Sequence, residues 1–151
     1  MYISSNSLID SIFLSIDTGM VNLPDQEFEA LIEEGVGAIP QEFRELMKNV
    51  AIVVADEPTP EQLIKTGLRP GVALFGLYEG VPQTVRGVGY SGVLPDKITI
   101  FKRAILESCA SPAEVREQVK ETVWHELAHH FGSSEQRVRR AQTRRRFRKA
   151  R

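Results

Sequence analysis

Apolar residues recur at every fourth position between Pro112 and Gly132, which is the spacing of one face of an α-helix. The stripe consists of Val115, Val119, Val123 and Leu127. Ser111 before the proline, with Glu114 three positions later, is typical of a helix start with an N-cap and a reciprocal capping glutamate. Gly132 predicts the end, because glycine adopts the left-handed conformation at little cost.

The rest of the chain predicts alternating strands, helices and loops. Stretches rich in β-branched residues predict buried strands at 50–55, 72–78 and 98–101. Helical spacing or a leading proline predicts helices near 28–32, at 40–47 and at 102–109. Segments 56–71 and 80–95 are rich in proline and glycine and predict loops, the first with room for one helical turn. Three or four strands between helices indicate an α+β fold.

Size and cysteine content narrow the class of protein. A chain of 151 residues with 42% apolar residues can form one domain with a modest core. The single cysteine, Cys109, excludes an internal disulfide and fits a reducing compartment, so we expect a cytoplasmic protein. We also expect a monomer. We interpret Cys109 as a partly buried residue at a helix end rather than a nucleophile.

Charge separates a basic tail from an acidic body, and an apolar patch sets the first 19 residues apart. Residues 137–151 carry nine Lys or Arg and no acid, whereas the other 136 residues carry ten against twenty Asp or Glu. We interpret this basic tail as a solvated end; docking on the acidic body or nonspecific contact with nucleic acid or anionic lipid are the alternatives. Residues 1–19 hold an apolar patch too short to span a membrane, and we expect a non-native extension or an N-terminal arm there. The predicted domain is 20–136.

His125, Glu126 and His129 form the run H-E-x-x-H on the predicted helix. Positions i and i+4 lie about 40° apart around a helix, so both imidazoles share one face and can turn a ring nitrogen toward one metal ion. Val123 and Leu127 lie about 160° and 200° from His125, so the helix can bury its stripe and still turn the histidines into a cleft. Two hydrogen-bonded core histidines are the alternative, which explains the adjacent glutamate less well. The pattern predicts one catalytic Zn²⁺.

Glu126 and His130 take different directions on the same helix. Glu126 lies about 100° from His125, where its carboxylate can stand beside the metal as a general base without binding it. His130 lies about 140° away, near the direction of the apolar stripe. We therefore interpret His130 as a core histidine or one that supports the metal site from behind.

A catalytic zinc usually has three protein ligands, and the third is less clear here. Glu135 falls where the longer H-E-x-x-H-x-x-G-x-x-H pattern has its last histidine, and its carboxylate can bind zinc. Alternatively, Ser133 and Gln136 form a capping box for a following helix, and the third ligand comes from elsewhere. In the glycine-rich loop, Tyr90 is the residue best suited to donate a hydrogen bond to an oxyanion. An ordinary loop tyrosine is the alternative.

Several segments together resemble the small bacterial zincin-like metallopeptidases, over about residues 28–135. The matching segments are 39–40 with 49–54, 74–80, 94–101 and 124–132. The resemblance implies a minimal zincin fold, in which a small mixed sheet packs beside the motif helix. The family usually has aspartate at the position of Glu135, and glutamate keeps the charge but adds a methylene.

These observations predict a zinc metallopeptidase acting on peptide or protein substrates, with Glu126 as general base. A strand edge beside the motif helix can hold an extended peptide, and residues 98–101 are one candidate. A non-catalytic zinc module, with the basic tail used for protein or nucleic-acid interaction, is the alternative. Hydrolysis of a non-peptide amide or ester at the same site is a third hypothesis.

Overall fold

The computed structural model describes residues 20–47, 49–81, 86–89 and 94–132. These ranges contain five helices: α1 (Asp25–Gly37), α2 (Gln41–Arg44), α3 (Pro60–Thr66), α4 (Lys102–Ser108) and α5 (Pro112–His130). They also contain three strands: β1 (Val50–Ala55), β2 (Gly76–Glu79) and β3 (Asp96–Phe101). The fold is α+β with a small mixed sheet, as predicted. Within these ranges, no helix is both long and apolar enough to cross a membrane.

The three strands form a sheet in the order β1-β3-β2. β1 runs parallel to β3, and β2 runs antiparallel to it. Residues 98–101, one candidate for the strand edge that holds a peptide, are therefore excluded, because β3 pairs on both sides. Which strand is central depends on pairing between strands far apart in sequence. The local pattern of apolar residues cannot predict this pairing.

Strand β2 is shorter than the predicted strand at 72–78. Val72 donates its backbone N–H to Arg69, so it closes a turn, and its side chain is exposed. Ladder pairing begins only where the Phe101 N–H bonds the Phe75 carbonyl oxygen at 2.8 Å. An apolar run alone does not separate a turn from the strand that follows it. β1, by contrast, has the predicted bounds.

Helix α5 lies between α1 and the sheet and contributes a large part of the core. All four residues of its apolar stripe are fully buried. They meet Phe28 and Ile32 of α1 and Ile98 and Ile100 of β3. Burying one such side chain stabilises the fold by about 1.5–3 kcal/mol, so this stripe fixes which face of α5 points inward.

Both predicted ends of α5 are present. The Ser111 hydroxyl accepts a hydrogen bond from the Glu114 N–H at 3.2 Å. The Glu114 carboxylate reaches back one residue further than in a capping box and accepts from the Ala110 N–H at 2.7 Å. Gly132, with φ +78°, turns the chain out of the helix.

Three helical predictions differ from the structure in extent. The loop at 56–71 holds seven residues of α3, which begins with a full capping box between Thr59 and Gln62. The predicted helix at 40–47 is only the four residues of α2. The helix predicted at 102–109 ends one residue earlier, at Ser108.

Cys109 lies directly after α4 and is buried. Its burial and the charge of Glu114 raise the pKa of its thiol. A raised thiol pKa disfavours the nucleophilic thiolate.

Candidate active site

The two motif histidines point at each other from successive turns of α5. Their Nε2 atoms are 3.2 Å apart, and both side chains are half-buried. Two nitrogens bound to one tetrahedral zinc at about 2.0–2.1 Å would be about 3.3 Å apart. The same distance also allows one neutral ring to donate a hydrogen bond to the other. His125 and His129 therefore fit a shared zinc ion.

Aromatic packing supports the flank of α5 beside these histidines. The ring of Phe43, just before the end of α2, meets the edge of Trp124 at a centroid distance of 5.4 Å and lies 5.9 Å from Phe131. Such pairs add about 0.5–1.5 kcal/mol beyond burial alone. This flank and the apolar stripe leave His125 and His129 on the remaining side of the helix.

Glu126 is buried against β2, and its side chain is only 7% exposed. A Cβ atom on Gly76 would lie 2.9 Å from Glu126 Cγ and 2.8 Å from Thr122 Cγ2, so only glycine allows this approach. Burial raises the pKa of Glu126 to about 7, while a backbone hydrogen bond from Tyr78 acts in the opposite direction. A carboxyl group with this pKa can both accept and return a proton near neutral pH.

His130 is fully buried, and its Nδ1 lies 2.9 Å from Asp96 Oδ2. Burial lowers the pKa of His130 and so favours the neutral ring, although Asp96 acts in the opposite direction. Since a carboxylate only accepts hydrogen bonds, a neutral His130 must carry its proton on Nδ1. The structure places His130 in the core rather than beside the histidine pair.

Of Asp96 and its partners, only His130 was among the site residues predicted from the sequence; Asp96, Tyr78, Val81 and Arg86 were not. The Asp96 carboxylate also accepts hydrogen bonds from the Tyr78 hydroxyl at 2.6 Å, from the Val81 N–H at 3.3 Å and from the guanidinium of Arg86. The only sequence signal is an acidic residue directly before an apolar strand. That signal does not reveal partners 10 to 34 positions away.

Two predicted site residues, Glu135 and Tyr90, lie outside the described residues, as do 1–19 and the basic tail. Within the described ranges, no third His, Cys, Asp or Glu joins the histidine pair to complete a metal site. Glu135 as third ligand and Tyr90 as oxyanion donor therefore remain predictions from the sequence.

A cleft runs along α5 on the side of His125 and Glu126. Leu68 and residues 73–76 form one wall. The other wall is Gln118, Glu121, Thr122, His125 and Glu126 of the helix. Gln118 and Glu121 were missed in the sequence, although Glu121 precedes His125 by four residues and so shares its face.

Comparison with known proteins agrees with this geometry. The model of the zincin-like metallopeptidase family matches residues 47–145, which include β1, the whole sheet and α5. No curated protein matches the chain. The family match covers well over half of the chain and includes the H-E-x-x-H helix with the strand that packs on it. The chain therefore belongs to the zincin-like metallopeptidase family.

Proposed function

We propose that this protein hydrolyses peptide bonds with one zinc ion held by His125 and His129, and by Glu135 as the third ligand. Zinc, when bound, supplies a Lewis acid that polarises the peptide carbonyl and acidifies water. Glu126 accepts a proton from the water that attacks the carbonyl carbon. It then gives this proton to the amide nitrogen as the C–N bond breaks, which leaves a carboxylic acid and an amine.

One arrangement carries this proposal: a converging histidine pair with a buried glutamate next to it on the same helix. The separation of the two Nε2 atoms suits a shared metal ion. The pKa of Glu126, about 7, suits a group that must take up and release a proton in one cycle. A histidine pair that served only the core would need no buried carboxyl group beside it.

Strand β2 is the edge that we propose for the peptide. Hydrogen bonding to β3 alternates along β2, and Phe75 bonds Phe101. Gly76 and Tyr78 therefore turn their backbone groups away from β3. This outer edge lies beside Glu126, and the Tyr78 backbone already bonds its carboxyl group. An extended substrate pairing with Gly76 would lie in the cleft that His125 and Glu126 line.

The test compares wild type with Glu126→Gln, and with Glu117→Gln as an exposed control on the same helix. Zinc content is measured on each purified protein, and cleavage is followed by mass spectrometry on a proteome-derived peptide mixture. We expect all three proteins to bind zinc, and only Glu126→Gln to lose cleavage, because a carboxamide cannot accept the proton. Equal cleavage by Glu126→Gln would remove Glu126 from this role. Zinc binding without cleavage by wild type would favour the non-catalytic zinc module.

A further inference from the structure

Four polar side chains form a cluster behind the histidine pair: Asp96 and His130 are buried, and Tyr78 and Arg86 are partly buried. Asp96 is its centre, with a side chain only 1% exposed. An isolated buried carboxylate is costly, so a protein retains one only with several partners. Burial favours the neutral acid, but hydrogen bonds from Tyr78, His130 and Val81 outweigh it and lower the pKa of Asp96. The cluster is therefore built around a charged carboxylate.

Asp96 ties together three elements that surround the site. It is the first residue of β3, whereas Tyr78 belongs to β2 and His130 is the last residue of α5. Gly80 passes so close to the Asp96 carboxylate that a side chain there would overlap it. The neighbouring Val81 donates its N–H to the same carboxylate. The end of the motif helix is thus bonded to the start of the sheet's central strand.

The position of the His130 side chain is geometrically linked to the directions of the Glu126 and His129 side chains on the same helix. His130 follows Glu126 by four residues, so both project from one face of α5 toward β2. Tyr78 contacts both: its backbone bonds the Glu126 carboxyl group, and its ring lies 5.9 Å from the His130 ring. His129 precedes His130 by one residue and so points about 100° away, toward His125. Fixing His130 therefore fixes the rotation of the last helical turn and the direction of His129.

We propose that Asp96 is a positioning residue: through Tyr78 and His130 it sets the rotation of the last turn of α5. It thereby holds His129 beside His125 and keeps Glu126 against β2. The consequence for zinc binding rests on the proposed function, but the consequence for the geometry of the histidine pair does not.

Tyr78→Phe is the sharpest test, because it keeps the ring and removes only the hydroxyl bonded to Asp96. Its control is Glu79→Gln on the same strand, which weakens the ion pair with Lys97 at 3.2 Å on the other face of the sheet. We expect Tyr78→Phe to weaken zinc binding about tenfold, as loss of a supporting partner does at other metal sites, and Glu79→Gln to leave it unchanged. Zinc affinity is measured by competition with a chromophoric chelator.

Asp96→Asn is a second variant, which we expect to weaken zinc binding at least as much. If it does not fold, Tyr78→Phe still decides the question. A lower Tm for Tyr78→Phe with wild-type zinc affinity would show that the cluster serves stability alone, and would overturn the proposal.

A second readout separates this proposal from the proposed function. In metal-free protein, NMR measures the nuclear Overhauser effect between the ring protons of His125 and His129. We expect it to weaken in Tyr78→Phe and to persist in Glu79→Gln, whether or not wild type binds zinc. Unchanged ring contacts in Tyr78→Phe would reject the positioning role, and absence of zinc from wild type would reject only the proposed function.

Discussion

At the scale of single residues, the candidate site keeps a buried carboxyl group at a cost to stability. Glu126 is buried against β2, and its pKa is raised from 4.5 to about 7. A carboxyl group whose folded pKa is raised stabilises the fold only while it is protonated. That contribution is lost as pH rises through the folded pKa. Metal-free protein should therefore lose stability between pH 5 and pH 8 through this group.

Replacing Glu126 by glutamine should remove that loss, because a carboxamide does not ionise. We expect the free energy of unfolding of metal-free wild type to fall by about 2 kcal/mol more between pH 5 and pH 8 than that of Glu126→Gln. Urea unfolding with a chelator present measures the difference. Identical pH dependence of the two proteins would show that Glu126 ionises in the fold without penalty.

Glu135 offers a second test at this scale, and its neighbour provides the control. As a zinc ligand, Glu135 should be needed for metal affinity, so Glu135→Ala should weaken zinc binding at least tenfold. Gln136→Ala would instead disrupt the capping box that is the alternative interpretation, and should leave the affinity nearly unchanged. Competition titration with a chelator distinguishes the two; equal affinities for wild type and Glu135→Ala would exclude the ligand role.

At the scale of elements, the contact of β2 with α5 decides the shape of the site. Gly76 brings β2 close enough to bury Glu126 and to present its outer edge beside the histidines. A larger residue must push the strand away from the helix. The burial of Glu126 and the position of the proposed peptide-binding edge both depend on this distance.

We therefore expect Gly76→Ala to destabilise the protein by about 1–3 kcal/mol, since its methyl group would overlap Thr122 and Glu126. It should also lower cleavage activity. Gly37→Ala is the matched control: nothing lies within 4 Å of the added Cβ, so stability should be unchanged or slightly higher. Urea unfolding measures the stability of both variants, and the peptide-mixture assay measures their cleavage. Wild-type stability in Gly76→Ala would mean that β2 can shift freely.

Prediction from the sequence succeeded where local patterns decide the structure. The bounds of α5 followed from apolar spacing, a capping serine and a terminal glycine, and those of β1 from a run rich in β-branched residues. Prediction found the strand β3 but could not find its place in the sheet: the candidate edge at residues 98–101 is central, because pairing depends on strands far away in sequence. It also missed Asp96, whose hydrogen bond to His130 spans 34 positions. A single buried acid leaves no periodic signal.

At the scale of the whole molecule, zinc should add to a modest stability. Within the described residues, one core cluster packs around α5. A ligand that binds only the folded state stabilises it by about 4 kcal/mol at a thousand times its Kd. We expect zinc to raise Tm by several degrees and chelation to reverse this, while His125→Ala should not respond to zinc. Differential scanning calorimetry measures the shift, and an equal shift in His125→Ala would place the metal elsewhere.

Among the described strands, β1 forms the opposite edge of the sheet, and this has a consequence for handling the protein. β1 reads Val-Ala-Ile-Val-Val-Ala and carries no charge, and Val53 and Val54 are 40% and 36% exposed. An uncharged apolar edge strand is a template on which another molecule can continue the sheet. Concentrated or partly unfolded samples should therefore be lost first to fibrous or amorphous precipitation seeded at β1.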